Sequence, residues 1–304
     1  MDTFIQQIIN GLVLGSMYAL IALGYTMVYG VLNLINFAHG DVLMIGAMVG
    51  LTILKLLGIY VPDWPGYLKL ATAILGAIPI CILVNIIIER VAYRRLRNAP
   101  RLAPLITAIG VSILLQTFAM MIWTRNPLPF PQLLSTDPLH IGGAVISQTQ
   151  VLLLALAAIS MGSLVLLIEK TKMGRAMRAT AENPRVAGLM GVDSDKVIVA
   201  TFAIGAALAA VAGVMWGANY ASVKFSMGAL PGLKAFCAAV LGGIGNIYGA
   251  MLGGILLGLI ESLGAGYIAY LTAGFLGSNY QDIFAFIVLI IVLTLRPSGI
   301  MGER

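Results

Sequence analysis

The chain is short of charge, of histidine and of cysteine. Of its 304 residues only 10% are charged while 60% are hydrophobic, and mean hydropathy is +0.99. A soluble domain carries about 25% charged residues, so an ordinary water-facing surface is excluded. The two cysteines, Cys81 and Cys237, lie in apolar runs without CxxC spacing and read as inert packing residues. The two histidines, His39 and His140, fall at the start of one run and in a polar loop, too far apart in depth to share a metal. No Gly-Lys pair occurs, so no P-loop is possible, and HExxH, zinc spacings and GxSxG are all missing. Neither a catalytic residue nor a metal ligand is assigned, and an enzyme is a poor reading. A channel, a transporter or a passive membrane scaffold remains.

What is present is a series of apolar runs, at about 4–29, 41–59, 67–88, 104–124, 149–168, 196–217, 232–244, 248–264 and 280–295. About 20 helical residues cross roughly 30 Å of hydrocarbon, and lipid leaves backbone groups no partner outside a helix. The runs are too long and too little alternating for a membrane barrel. The expected fold is therefore all-α, a polytopic bundle of eight to nine transmembrane helices with short broken or re-entrant ones, forming a single membrane domain over 1–304. The run 232–244 is the weakest, being short and ending in Gly-Gly-Ile-Gly-Asn. The opening MDTFIQQIIN has no Lys, Arg or small-residue cleavage site, so the first span is expected to be retained.

Net charge is +6, yet the basic residues sit in two loops rather than in a soluble basic domain, which removes nucleic acid as a partner. The segment 89–101 holds five arginines and 169–196 holds six basic residues. By the positive-inside rule both face the cytoplasm, which puts the N-terminus outside. The basic C-terminal tail is also cytoplasmic if 232–244 is a real crossing.

Within 174–196, Arg175, Arg178, Glu182 and Arg185 recur at spacings of three and four, the period of a helical stripe. Pro184 cannot lie inside that helix. Two short helices are expected instead: one over about 174–182, and a second that Asn183 caps, Pro184 begins and Gly191 ends. Asp193 or Ser194 can cap the span that follows. One reading is a solvated loop whose arginines only set orientation; the other is a basic docking knob for a soluble partner.

Polar groups also interrupt the apolar runs. NLINFAHGD (33–41) and GGIGN (242–246) both read as breaks, and breaks at membrane depth need protein or a water-filled cavity beside them. In the first, Asn36 is expected to cap a turn, Gly40 to let the chain reverse and Asp41 to cap the next helix; His39 reads as a hydrogen-bonded structural residue in a polar hinge. Gly249, Gly253 and Gly254 have the small-residue spacing of close helix packing. Glu261 stands as the lone carboxylate inside a late span, functional by default or else reaching water near the helix end. Asp282 reads as a helix cap. Candidate path residues are Asn33, Asn36, His39, Asn246 and Glu261.

GLVLGSMYALIALGYTMVYGVLNLINFAHGD, IERVAYRRLR, MGRAMRATAENPRVAGLMGV and AAVLGGIGNIYGAMLGGILLGLIE together resemble the LivH-type branched-chain amino acid permeases of bacterial ABC importers. The resemblance runs from about Gly11 to Gly299. It implies a non-catalytic permease subunit of the bacterial inner membrane, paired with a second homologous permease as a heterodimer. Two cytoplasmic ATPase subunits and a periplasmic substrate-binding protein complete such a system. ATP is then used by the partners, and this chain binds no cofactor. The resemblance assigns the coupling region to Gly174, Arg175, Arg178, Glu182, Asn183, Pro184, Arg185, Gly188 and Gly191 within the loop 169–196. The proline-rich loop 125–147 becomes part of the outer face. Urea, short amides or other amino acids stand as alternative substrates, and a channel or secondary carrier working alone as the alternative class.

Overall fold

A computed structural model describes residues 2–96, 99–100, 102–134, 138–141, 143–271, 281–296 and 298–302. Arg97 and Arg101 of the first basic loop, the stretch 272–280 and the terminal Arg304 lie outside them. The described chain forms α1 (Asp2–Leu32), α2 (His39–Tyr60), α3 (Gly66–Ile88), α4 (Leu102–Ile122), α5 (Gln148–Lys170), α6 (Lys172–Glu182), α7 (Pro184–Leu189), α8 (Ser194–Tyr220), α9 (Ala229–Gly242), α10 (Ile247–Leu271) and α11 (Gln281–Leu295). Among the described residues seven helices are long and apolar enough to cross a membrane, and Ala229–Gly242 and Phe286–Leu295 are shorter apolar helices. The polytopic helical bundle expected from hydropathy is what the chain forms, and the short run near 232–244 is a real helix.

Depth in the bundle separates the helices. The most apolar windows of α1 and α8 are each 72% buried, against 11% for α4. Helix α4 therefore turns Leu102, Ile106, Ile113, Phe118 and Met121 outward, which lipid accepts at no cost because it is as apolar as they are. Helix α1 packs between α10 and α8, while α2 packs on α8 and α3. The α1–α10 contact uses small residues on both sides. A Cβ at Gly258 would fall 2.2 Å from the Gly15 nitrogen, and one at Gly254 would fall 2.4 Å from Ala19 Cα. Helix backbones come this close in lipid only where side chains are missing.

One end of the bundle carries α6, α7 and the basic turns that follow α3, and is called here the basic end. The other end holds short strands that the expectation of an open loop over 125–147 missed. Strand β1 (Leu128–Pro129) pairs antiparallel with β4 (Ser222–Val223), and β2 (Pro138–Ile141) with β3 (Ala144–Ser147). The first pair clamps the end of α8: Phe130 donates its N–H to Ala221 O at 3.0 Å. The second is tied to α1 by the Gln6 amide, which accepts from Val145 N and donates to Val145 O. Ser147 then starts α5 with a reciprocal cap, its hydroxyl accepting from Gln150 N.

Candidate functional site

Both sequence breaks are real, and the second lies beside the end of α1, where a Cβ at Gly30 would fall 3.7 Å from Gly245 O. The first follows α1, where Asn33 takes a left-handed conformation with φ of 53°. The reversal thus falls at Asn33 and not at Gly40, which lies with Asp41 inside α2. Gly40 serves another purpose: a Cβ there would fall 2.4 Å from Gly228 O. Asn36 does hold a turn, accepting the Ala38 N–H at 3.1 Å. The second break follows α9, with Gly243 at φ 110° and Gly245 at φ 95°, conformations that favour glycine. Asn246 then caps α10 by accepting from Gly249 N at 3.0 Å.

The C-terminal segment fills the second break. Ile300 N donates to Leu241 O, Met301 N donates to Gly242 O, and Asn246 Nδ2 donates to Met301 O. Backbone carbonyls that end α9 are satisfied by chain about 60 residues away. A cavity of about 580 Å³ opens beside this junction. Its walls include Tyr29, Glu169, Arg178, Asn246 and Tyr248, and the Tyr248 hydroxyl donates to Glu169.

Helices α6 and α7 follow the expected punctuation closely. Thr171 starts α6 by accepting from Gly174 N, two residues earlier than expected from the pattern. Asn183 caps α7 by accepting from Arg185 N and Val186 N, with Pro184 in the first turn. Gly191 has φ of 83° after the last turn. Asp193 caps α8 by accepting from Lys196 N, and that N–H, with the Lys196 ammonium, holds the Asp193 carboxyl below its usual range.

The face this segment displays differs from a basic stripe. Arg178 turns its guanidinium onto the Ile168 carbonyl at the end of α5. Gly174 is buried there as well, since a Cβ would strike Ile168 O at 2.0 Å. Arg175, Glu182, Pro184, Arg185 and Gly188 are exposed. Beside these charged residues stand exposed apolar side chains: Leu189 at 87% and Met190 at 81%, with Val186 next to them. Charge spacing drew attention to the arginines and passed over these three. Their signal in the sequence is an apolar VAGLM tip between a cap and a glycine stop.

Two of the candidate path residues are walled in. Asn36 is buried and accepts from the Tyr93 hydroxyl at 3.1 Å, while Asn85 Nδ2 beside it donates to Phe202 O at 2.7 Å. His39 packs edge-on against Tyr25 with ring centroids 5.0 Å apart. Among the described residues neither His39 nitrogen has a hydrogen-bond partner, so the residue is held by packing and not by the hydrogen bonds expected of it.

Glu261 is neither alone nor exposed. Its side chain is 2% exposed, and Lys234 Nζ lies 2.6 Å from its Oε1. The Tyr18 hydroxyl donates to its Oε2 at 3.0 Å. The same Lys234 Nζ lies 2.6 Å from Asp282 Oδ1, so Asp282 belongs to an ion cluster where a helix cap was expected. Lys234 escaped notice because it sits mid-run in the short helix α9. A cavity of about 280 Å³ opens on this cluster in the half of the bundle away from the basic end. Lys234, Glu261 and Asp282 line it with the rings of Tyr18, Trp216 and Tyr220.

A family model described as branched-chain amino acid transport system / permease component matches residues 7–293. The chain is 45% identical to the high-affinity branched-chain amino acid transport system permease protein BraD of Pseudomonas aeruginosa, over 99% of this chain and 96% of that protein. It is 44% identical to the corresponding permease protein LivH of Escherichia coli, again over 99% of this chain and 96% of that protein. A probable branched-chain amino acid transport permease protein LivH of Methanocaldococcus jannaschii is 30% identical over 98% of this chain and 92% of its own length.

Proposed function

The chain belongs to the family of branched-chain amino acid transport system permease components, and from that premise we propose that it is the permease subunit of an ATP-binding-cassette importer. It forms the route by which leucine, isoleucine and valine cross the bacterial inner membrane after delivery by a periplasmic binding protein. The partners are a second, homologous permease and two cytoplasmic ATPase subunits, and ATP is bound and hydrolysed by those subunits alone. The basic end is cytoplasmic, because Lys and Arg in short loops are retained on that side; the N-terminus is then periplasmic and the C-terminus cytoplasmic.

The observation that carries this reading is the α6–α7 segment. A chain with no nucleotide motif of its own presents Leu189 and Met190 almost fully to solvent at its basic end. Two capped helices hold that tip rigid, which suits a part that passes motion from a hydrolysing partner. Arg178 and Gly174 fasten the segment to the end of α5, so a push on the tip reaches the cavity beside the second break, which Ile168 and Arg178 also line. Asn246 and Tyr248 line that cavity, and it serves as the inner part of the route, with Asn33 at the neighbouring hinge.

The test is ATP-driven uptake by the complete importer in proteoliposomes. Labelled leucine accumulates only when ATP is enclosed on the ATPase side and binding protein is present on the other. Urea taken up in place of leucine would move the chain to the alternative substrate class. Leucine flux that needs neither ATP nor partners would instead make it a channel or secondary carrier.

A further inference from the structure

The ion cluster in the outer half presents an unusual charge arrangement. Lys234, Glu261 and Asp282 sum to a formal charge of −1, and the Lys234 and Glu261 side chains are only 7% and 2% exposed. Ionised side chains at membrane depth are expensive and persist mainly along substrate and ion pathways. A purely structural role would be better served by a neutral pair. The cluster is also graded: Glu261 is buried, with one oxygen on Lys234 and the other on Tyr18, whereas the Asp282 side chain is 37% exposed.

The surroundings narrow the occupant. Trp216 lies 6.0 Å from Tyr18 and 4.9 Å from Tyr220, centroid to centroid, so three rings form one wall. Met227 and Leu230 add apolar surface, and Lys224 brings a second cation to the same cavity. A cavity of about 280 Å³ suits one small solute. A bare metal cation would use the carboxylates and have no partner for the lysines. A neutral solute would need neither.

We propose that this cavity is a waypoint for a zwitterionic α-amino acid with an apolar side chain. The substrate ammonium takes Asp282 from Lys234, Lys234 turns to the substrate carboxylate, and Glu261 keeps Lys234 in place through the exchange. The side chain lies against Met227, Leu230 and the Trp216 face. Each ion pair that opens is replaced by another, so a zwitterion passes without an unpaired charge being left in the bundle. This site rests on the import reading above, and it deepens that reading by naming the groups that recognise both ends of the substrate.

The experiment uses the complete importer in detergent without binding protein, in a Cys81→Ala, Cys237→Ala background. Ser226→Cys places a thiol on the cavity wall, and its reaction rate with a charged thiol reagent is followed. Leucine well above its dissociation constant slows labelling about fivefold, as occupancy rises with concentration over that constant. Neither 4-methylpentanoate, which lacks the ammonium, nor 3-methylbutylamine, which lacks the carboxylate, slows it, and Asp282→Asn abolishes the protection by leucine. Leu230→Cys, on the exposed rim, repeats the comparison if the first thiol is unreactive. No protection by leucine at either thiol, or equal protection by either half-analogue, overturns the site. ATP-driven leucine uptake measured on the same preparation separates the two readings. Uptake without protection removes only the waypoint, and protection without uptake removes only the importer.

Discussion

In the α6–α7 segment at the basic end, helix ends are capped by neighbours in sequence. Asn183 accepts from Arg185 and Val186, Thr171 from Gly174, and Asp193 from Lys196. In the outer half, Lys234 reaches Glu261 across 27 residues and Asp282 across 48. The first region is exposed, and each of its bonds satisfies one end of one helix. The second is largely buried and exists only when α9, α10 and α11 have already packed. Caps fix where each short helix begins and ends, and fastening to the end of α5 lets the segment face a partner unchanged. A cluster assembled from three helices responds to how those helices sit, which is the property that a gate or a waypoint needs.

Breaking the outer cluster tests that contrast at its strongest. Lys234→Met leaves Glu261 buried without its cation, and removing one partner of a buried pair costs about 3–5 kcal/mol. The variant is expected to lose most of its thermal stability in detergent, read as the unfolding midpoint of the purified complex. Adding Glu261→Gln removes the orphaned charge and is expected to restore more than half of the loss. A Lys234→Met protein as stable as the parent would show that the cluster is not assembled by packing at all.

The next largest effect lies at the exposed tip, and it acts on function with the fold intact. Leu189→Asp with Met190→Asp introduces charge where an apolar contact with a partner is expected. ATP-driven leucine uptake should fall by about tenfold or more, since central apolar anchors carry about 2 kcal/mol or more in interfaces. The unfolding midpoint should stay where it is, because both side chains are solvated in this chain. Arg175→Glu should cost less, as exposed charges steer association more than they hold it. A larger loss from Arg175→Glu than from the tip would return the coupling role to the charged stripe.

How much could be read from the sequence follows the same division. Most features of α6 and α7 that depend on residues a few positions apart were legible: the Asn183 cap, Pro184 in the first turn, the Gly191 stop. The membrane helices were legible too, because hydrocarbon thickness imposes their length. What escaped depends on contacts between distant segments. Glu261 looked solitary because its partner lies in the shortest run, and Asp282 looked like a cap because it opens α11. The C-terminal residues 300 and 301 complete the end of α9 through backbone groups, and no side-chain pattern announces that. His39 read as a hydrogen-bonded hinge residue and is a packed ring against Tyr25.

The smallest expected effect probes a long-range ion pair at the basic end. Arg94 Nη2 lies 2.5 Å from Asp195 Oδ2, joining the turn after α3 to the start of α8 across 101 residues. The pair is half exposed on both sides, at 53% and 48%. Exposed pairs contribute about 0–1 kcal/mol, because water and salt screen the attraction and the side chains lose freedom on pairing. Arg94→Ala should therefore shift the unfolding midpoint by about 2 °C or less and leave leucine uptake close to the parent rate. Raising salt should erase even that difference. If uptake instead falls as far as it does with the Leu189 and Met190 substitutions, the basic end is not a set of local caps. It would then be tied to the bundle as the outer cluster is, and the pair would be the strut through which motion of α6 and α7 reaches α8.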